Sequence, residues 1–214
     1  MTVGLGTGST TAPAVVAIGE RIRAEGLRLR AVASSERTRE LAAQCGIPIV
    51  DLSDAGELDL TIDGADEVDP DFNLIKGGGG ALVRERLVAS AAREFIVIVD
   101  DGKLKPVLGA FPLPIAILPY GWKTTQRRIA GLFPDLAAEA FALREAAEGE
   151  PYVTDDGLYI LTAKLVSIPD PGGVERELRR LPGVVDTGLF VGMASRVIVG
   201  HADGRAEEAQ RRRA

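Results

Sequence analysis

Lys76 is followed by four consecutive glycines, Gly77, Gly78, Gly79 and Gly80. Ordering such a run costs backbone entropy, which makes sense where main-chain amides must approach a ligand closely. A lysine charge beside those amides is an arrangement that stabilises a developing oxyanion; a flexible loop is the competing reading. Upstream, Asp63, Gly64, Ala65, Asp66 and Glu67 put carboxylates on a tight turn after an apolar, β-rich run. Asp63 and Asp66 there suit gripping sugar hydroxyls or general acid–base work. Helix capping, or a Mg²⁺ site with mostly water ligands, fits the same residues.

Near the N-terminus, Gly4, Gly6 and Gly8 alternate with Leu5 and Thr7 and lead into Ser9, Thr10 and Thr11. Glycines let successive N–H groups converge on an anion, and a following helix adds the positive end of its dipole. The segment reads as a phosphate cradle or as a hydroxyl-capped strand–helix turn. It is not a Walker A loop, because no lysine follows the last glycine, and Ser9 stands where a dinucleotide fingerprint needs its third glycine. Glu85, between Arg84 and Arg86, reads on its own as a solvated charge on a helix face.

The elements that must hold these segments alternate. Apolar strand patterns at 1–5, 27–33, 47–50, 58–62 and 95–99 are separated by helical patterns ending near 24 and spanning 35–45 and 81–92. Ser34 or Ser35 serves as N-cap of the second helix, and Gly46 closes it. Such alternation predicts a parallel sheet with helices on both faces, with ligands beyond the carboxyl ends of the strands. The glycine-rich and acidic segments all fall there. From Phe111, Pro112, Leu113 and Pro114 onward the pattern becomes strand, helix, strand, strand, helix, strand, the ferredoxin-like split motif. Residues 196–200 read as a strand returning to the first sheet. The expected architecture is therefore α/β, a Rossmann-like parallel sheet domain of residues 1–111 plus 189–214, with an inserted smaller ferredoxin-like α+β domain at 112–188.

Bulk properties narrow the function. The chain has 214 residues, a net charge of −6 and a single cysteine. That balance argues against a general nucleic-acid binder. The only basic cluster is Arg211, Arg212 and Arg213, read as a frayed tail. Cys45 rules out an internal disulfide, fits a reducing cytosol, and reads as a small buried hydrophobe before Gly46. One histidine, His201, and no cysteine pair leave a zinc site without its usual ligands. No apolar run reaches the ~20 residues that span a bilayer, and no secretory signal opens the chain. A cytoplasmic protein with no membrane partner is expected.

Taken together and in order, these segments resemble type A ribose-5-phosphate isomerases. The resemblance runs through Gly6, Thr7, Gly8, Ser9 and Thr10; Asp63, Gly64, Ala65, Asp66 and Glu67; Lys76, Gly77, Gly78 and Gly79 with Arg84 and Glu85; and Lys103 before Phe111, Pro112, Leu113 and Pro114. Pro182, Gly183, Val184 and Val185 and then Gly188, Leu189 and Phe190 extend it over essentially the whole chain. Each glycine motif is weak alone; the ordered set is specific. The resemblance implies an aldose–ketose isomerase of the non-oxidative pentose phosphate pathway that needs no cofactor and no metal, takes a small sugar phosphate, and forms a homodimer or homotetramer through the smaller domain. It implies Glu85 as the base, Lys76 with the amides of Gly77, Gly78 and Gly79 as enediolate stabilisers, and Asp63 and Asp66 as hydroxyl ligands that assist ring opening. Thr7, Gly8, Ser9, Thr10 and Lys103 would hold other parts of the substrate, and Ser34, Ser35 and Thr38 are further candidate phosphate ligands. Two departures stand out. The chain starts almost inside its first strand, where the family carries a helix, which reads as a truncated start; and Asp100, Asp101 and Gly102 differ from the family's wording. A sugar-phosphate sensor on the same fold, or a coenzyme A transferase relative, are the other readings; turnover without added cofactor separates them from an isomerase.

Overall fold

A computed structural model describes residues 1–146 and 149–212. In chain order its elements are β1 (Thr2–Leu5), α1 (Thr11–Glu25), β2 (Arg30–Ala33), α2 (Glu36–Gln44), α3 (Leu52–Ala55), β3 (Leu60–Asp63), β4 (Glu67–Val68), β5 (Leu74–Ile75), α4 (Leu82–Ser90), β6 (Phe95–Asp100), β7 (Leu113–Ile117), α5 (Trp122–Gly131), β8 (Phe141–Leu143), β9 (Tyr159–Ala163), α6 (Pro171–Arg179), β10 (Val184–Thr187), β11 (Leu189–Phe190), β12 (Arg196–Gly200) and β13 (Ala206–Glu208). They divide into two compact units: Met1–Ala65 with Arg84–Leu104 and Met193–Ala214, and Asp66–Val83 with Lys105–Gly192.

The first unit is built on a six-stranded sheet in the order β13-β12-β6-β3-β1-β2. All pairings in it are parallel except β12 with β13. A near-continuous apolar run suits a parallel strand covered on both faces: in β6, Phe95, Val97 and Val99 are buried and Ile96 and Ile98 half-buried. Strand order reverses at β1, which has β2 on one side and β3 on the other, so the crevice beyond their carboxyl ends is the topological switch point where open α/β sheets bind ligands. Residues 47–50 contribute one parallel bridge, Ile49 with Ala31, instead of the expected strand, and Pro48 has no N–H to add to a ladder. Val3, Leu5, Val15, Ala42 and Cys45 share one core cluster, which makes the thiol a packing group as expected.

The C-terminal residues depart from the frayed-tail reading. Ala206–Glu208 pair with β12, the Ala209 N–H donates to the Val197 carbonyl at 2.8 Å, and an Arg211 guanidinium N–H donates to the Ala194 carbonyl. Arg213 lies outside the described residues. An exposed edge strand needs few apolar side chains, which is why Ala206, Glu207 and Glu208 gave no strand signal.

The second unit contains a four-stranded antiparallel sheet in the order β10-β7-β9-β8. With α5 after β7 and α6 after β9, this is the ferredoxin-like connection the pattern predicted. Leu113, Ile115, Ile117, Ile129, Phe141, Leu161 and Leu178 fill its core. A separate three-stranded sheet, β11-β5-β4, leads into the glycine run through β5 and was not legible as strands, because each of its members is only two residues long.

Candidate active site

In the first unit the candidate groups leave the sheet at neighbouring strand ends. β1 runs into Gly6 and Thr7, β2 into Ser34 and Ser35, β3 ends on Asp63, and β6 leads into the short 3₁₀ turn Asp101–Lys103 that carries half-buried Lys103. The Gly6 N–H donates to the Ile62 carbonyl at 2.9 Å and the Ser34 N–H to the Leu5 carbonyl at 2.9 Å, so these exits remain tied to the sheet.

Asp63 organises the turn after β1. Only 1% exposed, it accepts at Oδ1 from the Gly64 N–H at 2.7 Å, the Thr7 N–H at 3.1 Å and the Thr11 hydroxyl at 3.4 Å. A Cβ at Gly6 would lie 1.9 Å from that same oxygen. The glycine is there because the carboxylate passes over its α-carbon.

Four hydroxyls brace the turn from behind. The Thr7 hydroxyl lies 2.9 Å from Ser34 Oγ, 2.8 Å from Ser35 Oγ and 3.2 Å from Thr38 Oγ1. Thr38 donates to the Gly6 carbonyl at 2.9 Å, and Ser35 is the N-cap of α2, accepting from the Thr38 N–H at 3.1 Å. Ser34, Ser35 and Thr38 are buried, whereas Gly8 and Ser9 are exposed and Thr10 half-buried at the start of α1.

Glu85 overturns its reading as a solvated charge. It is 3% exposed, in the first turn of α4. Leu82, Val88 and Ala89 are the buried apolar residues at three- and four-residue spacing around it. Glu85 therefore lies on a buried side of the helix, but Leu87, two residues on, is 53% exposed, so the apolar spacing of the sequence does not single that side out. Of the flanking arginines, Arg84 donates to Glu36 at 2.7 Å and Arg86 to the Met193 sulfur at 3.3 Å.

In the second unit Lys76 follows β5 and is 2% exposed. Its N–H donates to the Gly188 carbonyl at 2.8 Å, and its ammonium stands 5.5 Å from the Phe190 ring centroid, within cation–π range. The glycines after it form a tight turn, with the Gly80 N–H returning to the Gly77 carbonyl at 2.9 Å. Asp66 accepts from the Gly78 N–H at 2.8 Å. Its neighbour Glu67, 1% exposed, accepts from the Gly109 N–H at 2.7 Å and the Phe111 N–H at 2.6 Å. Glu67 thereby fixes the segment before Pro112, a contact across 44 residues that no local spacing announces. Arg144 and Tyr152 also reach the loop's carbonyls, at 2.9 Å to Gly78 and 3.3 Å to Gly79. Sequence reasoning missed both.

Residues 30–204 match the family model described as ribose 5-phosphate isomerase A (phosphoriboisomerase A). The chain belongs to the ribose 5-phosphate isomerase A family. It is 47% identical over 209 residues to ribose-5-phosphate isomerase A of Ruegeria pomeroyi, covering 97% of this chain and 79% of that relative. Among solved structures, the ribose 5-phosphate isomerase from Plasmodium falciparum superposes with a TM-score of 0.92 at 33% identity, covering 100% of this chain and 92% of the other. A D-ribose-5-phosphate isomerase in complex with phospho-erythronic acid gives 0.92 at 38% identity, covering 99% and 91%. The ordered glycine and acid motifs were thus a valid family signature. Among the described residues no group of three or more His, Cys, Asp or Glu side chains is placed to hold a metal ion, and no helix is long and apolar enough to cross a membrane.

Proposed function

We propose that this aldose–ketose isomerase interconverts ribose 5-phosphate and ribulose 5-phosphate through an enediolate, with Glu85 as the base. Glu85 takes the proton from C2 of the open-chain aldose, and the electron pair moves through C1 onto O1. The carboxyl then returns the proton to C1 as the C2 carbonyl forms, while the hydroxyl proton passes from O2 to O1. No hydride acceptor enters this balance. The observation that carries the reading is the burial of Glu85, 3% exposed on α4. Withdrawing a carboxylate from water is costly, and a proton-transfer role accounts for its retention.

Charge developing on oxygen dominates such a barrier, so fixed donors contribute most. Lys76 and the amides of the glycine loop are assigned to the enediolate oxygens. Asp63 and Asp66 are assigned to sugar hydroxyls and to the proton movements of ring opening. Exposed Gly8 and Ser9, Thr10, the N-terminus of α1 and Lys103 are assigned to the phosphate. Thr7, Ser34, Ser35 and Thr38 then act as the brace that keeps this turn in shape, since their hydroxyls are engaged with one another and with the main chain. The same reading includes a cytoplasmic homodimer or homotetramer assembled through residues 112–188, which light scattering tests on the parent and on surface variants of that segment.

The deciding experiment measures ribulose 5-phosphate formation from ribose 5-phosphate with excess EDTA and no added cofactor. Glu85→Gln should keep KM and lose at least ~10²-fold in kcat, the scale of general acid–base effects. Near-normal turnover in that variant overturns the assignment.

A further inference from the structure

The four-glycine loop has no side chains with which to hold itself. Two of its carbonyls are instead engaged by a pair of side chains far away in the chain. Arg144 follows β8, and Tyr152 is its cross-strand partner, donating its N–H to the Arg144 carbonyl at 2.9 Å. The Arg144 guanidinium carbon stacks 4.3 Å from the centroid of the Tyr152 ring. From that stack one guanidinium N–H donates to the Gly78 carbonyl at 2.9 Å, across 66 residues of sequence, and the tyrosine hydroxyl donates to the Gly79 carbonyl at 3.3 Å. At Gly80 a Cβ would lie 2.3 Å from the tyrosine hydroxyl, so the loop rests directly on this pair.

The peptide bonds of this loop are trans, so the N–H of each unit points opposite to its carbonyl. With its carbonyl turned toward Arg144, the Gly78–Gly79 peptide directs the Gly79 N–H the other way. The Gly78 N–H is engaged by Asp66 and the Gly80 N–H by Gly77. Gly79 is the exposed residue of the four. A positive charge on the carbonyl oxygen also polarises the peptide and strengthens its N–H as a donor.

We infer that Arg144 is a positioning residue for the isomerisation: backed by Tyr152, it pins the Gly78–Gly79 peptide so that the Gly79 N–H meets the oxygen that gains charge in the enediolate. This rests on the reading above that the glycine loop stabilises the enediolate. Arginine suits the task because its planar fork can stack on the ring and hydrogen-bond at once, which an ammonium cannot do.

The test uses the full chain and compares kcat and KM for ribose 5-phosphate with inhibition by phospho-erythronic acid, whose carboxylate carries negative charge where the enediolate does. Arg144→Ala should lower kcat on the order of 10-fold, short of the ~10²–10³-fold lost when an oxyanion donor is deleted outright. Inhibitor affinity should fall by a similar factor, KM should stay within about 3-fold, and added guanidinium should restore part of kcat. A kcat within about 2-fold of the parent, or a loss confined to KM, overturns the inference. If Arg144→Ala does not fold, Tyr152→Phe decides, because it keeps the stack and removes only the hydroxyl. A fall in kcat of about 3-fold at constant KM supports the clamp, and an unchanged kcat overturns it. Gly79→Pro separates the two readings, since it deletes the N–H itself. If that variant turns over normally, the enediolate reading of the loop fails and the clamp with it; if it is inactive while Arg144→Ala is unimpaired, only the clamp fails.

Discussion

The two glycine turns of this enzyme are held in opposite ways. The turn after β1 is pinned at its centre: one buried carboxylate, Asp63, gathers three donors, and hydroxyls from the next strand exit brace it from behind. The loop after Lys76 is pinned at its edges, by Asp66 on one amide and by Arg144 and Tyr152 on two carbonyls. The first is as stiff as the parallel sheet from which it grows. The second depends on side chains that could move without unfolding anything. Stability and catalysis should therefore respond differently to damage in the two places.

The largest effect is expected at Gly6. In Gly6→Ala the new methyl would stand 1.9 Å from Asp63 Oδ1 and 2.0 Å from its Cγ. Asp63 cannot yield without releasing its three donors. A loss of about 3 kcal/mol, at the upper end for overpacking, should appear as a lower melting temperature together with lost turnover. Gly78→Ala should behave otherwise. Its methyl meets Asp66 Oδ1 at 2.7 Å and the Phe111 ring tip at 2.9 Å, both ends of side chains that can give way. Turnover should fall on the order of 10-fold through a displaced loop, with the melting temperature nearly unchanged. If the melting temperature drops as far as in Gly6→Ala, the contrast between the turns is wrong.

Thr38→Val sharpens the comparison from the rigid side. It removes the hydroxyl that donates to the Gly6 carbonyl while keeping the shape, and should cost about 1–2 kcal/mol. If the Thr7–Thr10 turn holds the phosphate, KM should rise a few-fold while kcat holds. The smallest effect is expected far from both turns, at the sheet edge. Glu208 accepts a hydrogen bond from Arg196, which holds its carboxyl below the usual glutamate range. A depressed value means the pair stabilises above the unfolded pKa and fades as pH falls through the folded one. Both partners are solvent-exposed and screened, so Glu208→Gln should leave the melting temperature at neutral pH unchanged.

How much of this could be read from the chain depends on the range of each interaction. The strand–helix alternation, the Ser35 cap and the β-α-β-β-α-β order are local patterns, and the structure reproduces them. The burial of Glu85 was not legible, because Val83 and Leu87 on α4 are as apolar as Leu82 and Val88 and no single apolar face marks the side that carries it. The two-residue strands β4, β5 and β11 and the edge strand β13 carry too little periodicity to read.

By itself, then, the sequence determined the fold class, the family and the order of the motifs, because hydrophobic period and glycine spacing are properties of neighbouring residues. Only the tertiary structure decided which donors face outward. Asp63 consumes the amides of Thr7 and Gly64, the hydroxyls of Ser34, Ser35 and Thr38 turn into a brace, and Arg144 reaches across 66 residues to set one peptide. A hydrogen bond depends on direction and on a distance of about 3 Å, and neither is encoded until the strands have brought distant segments together.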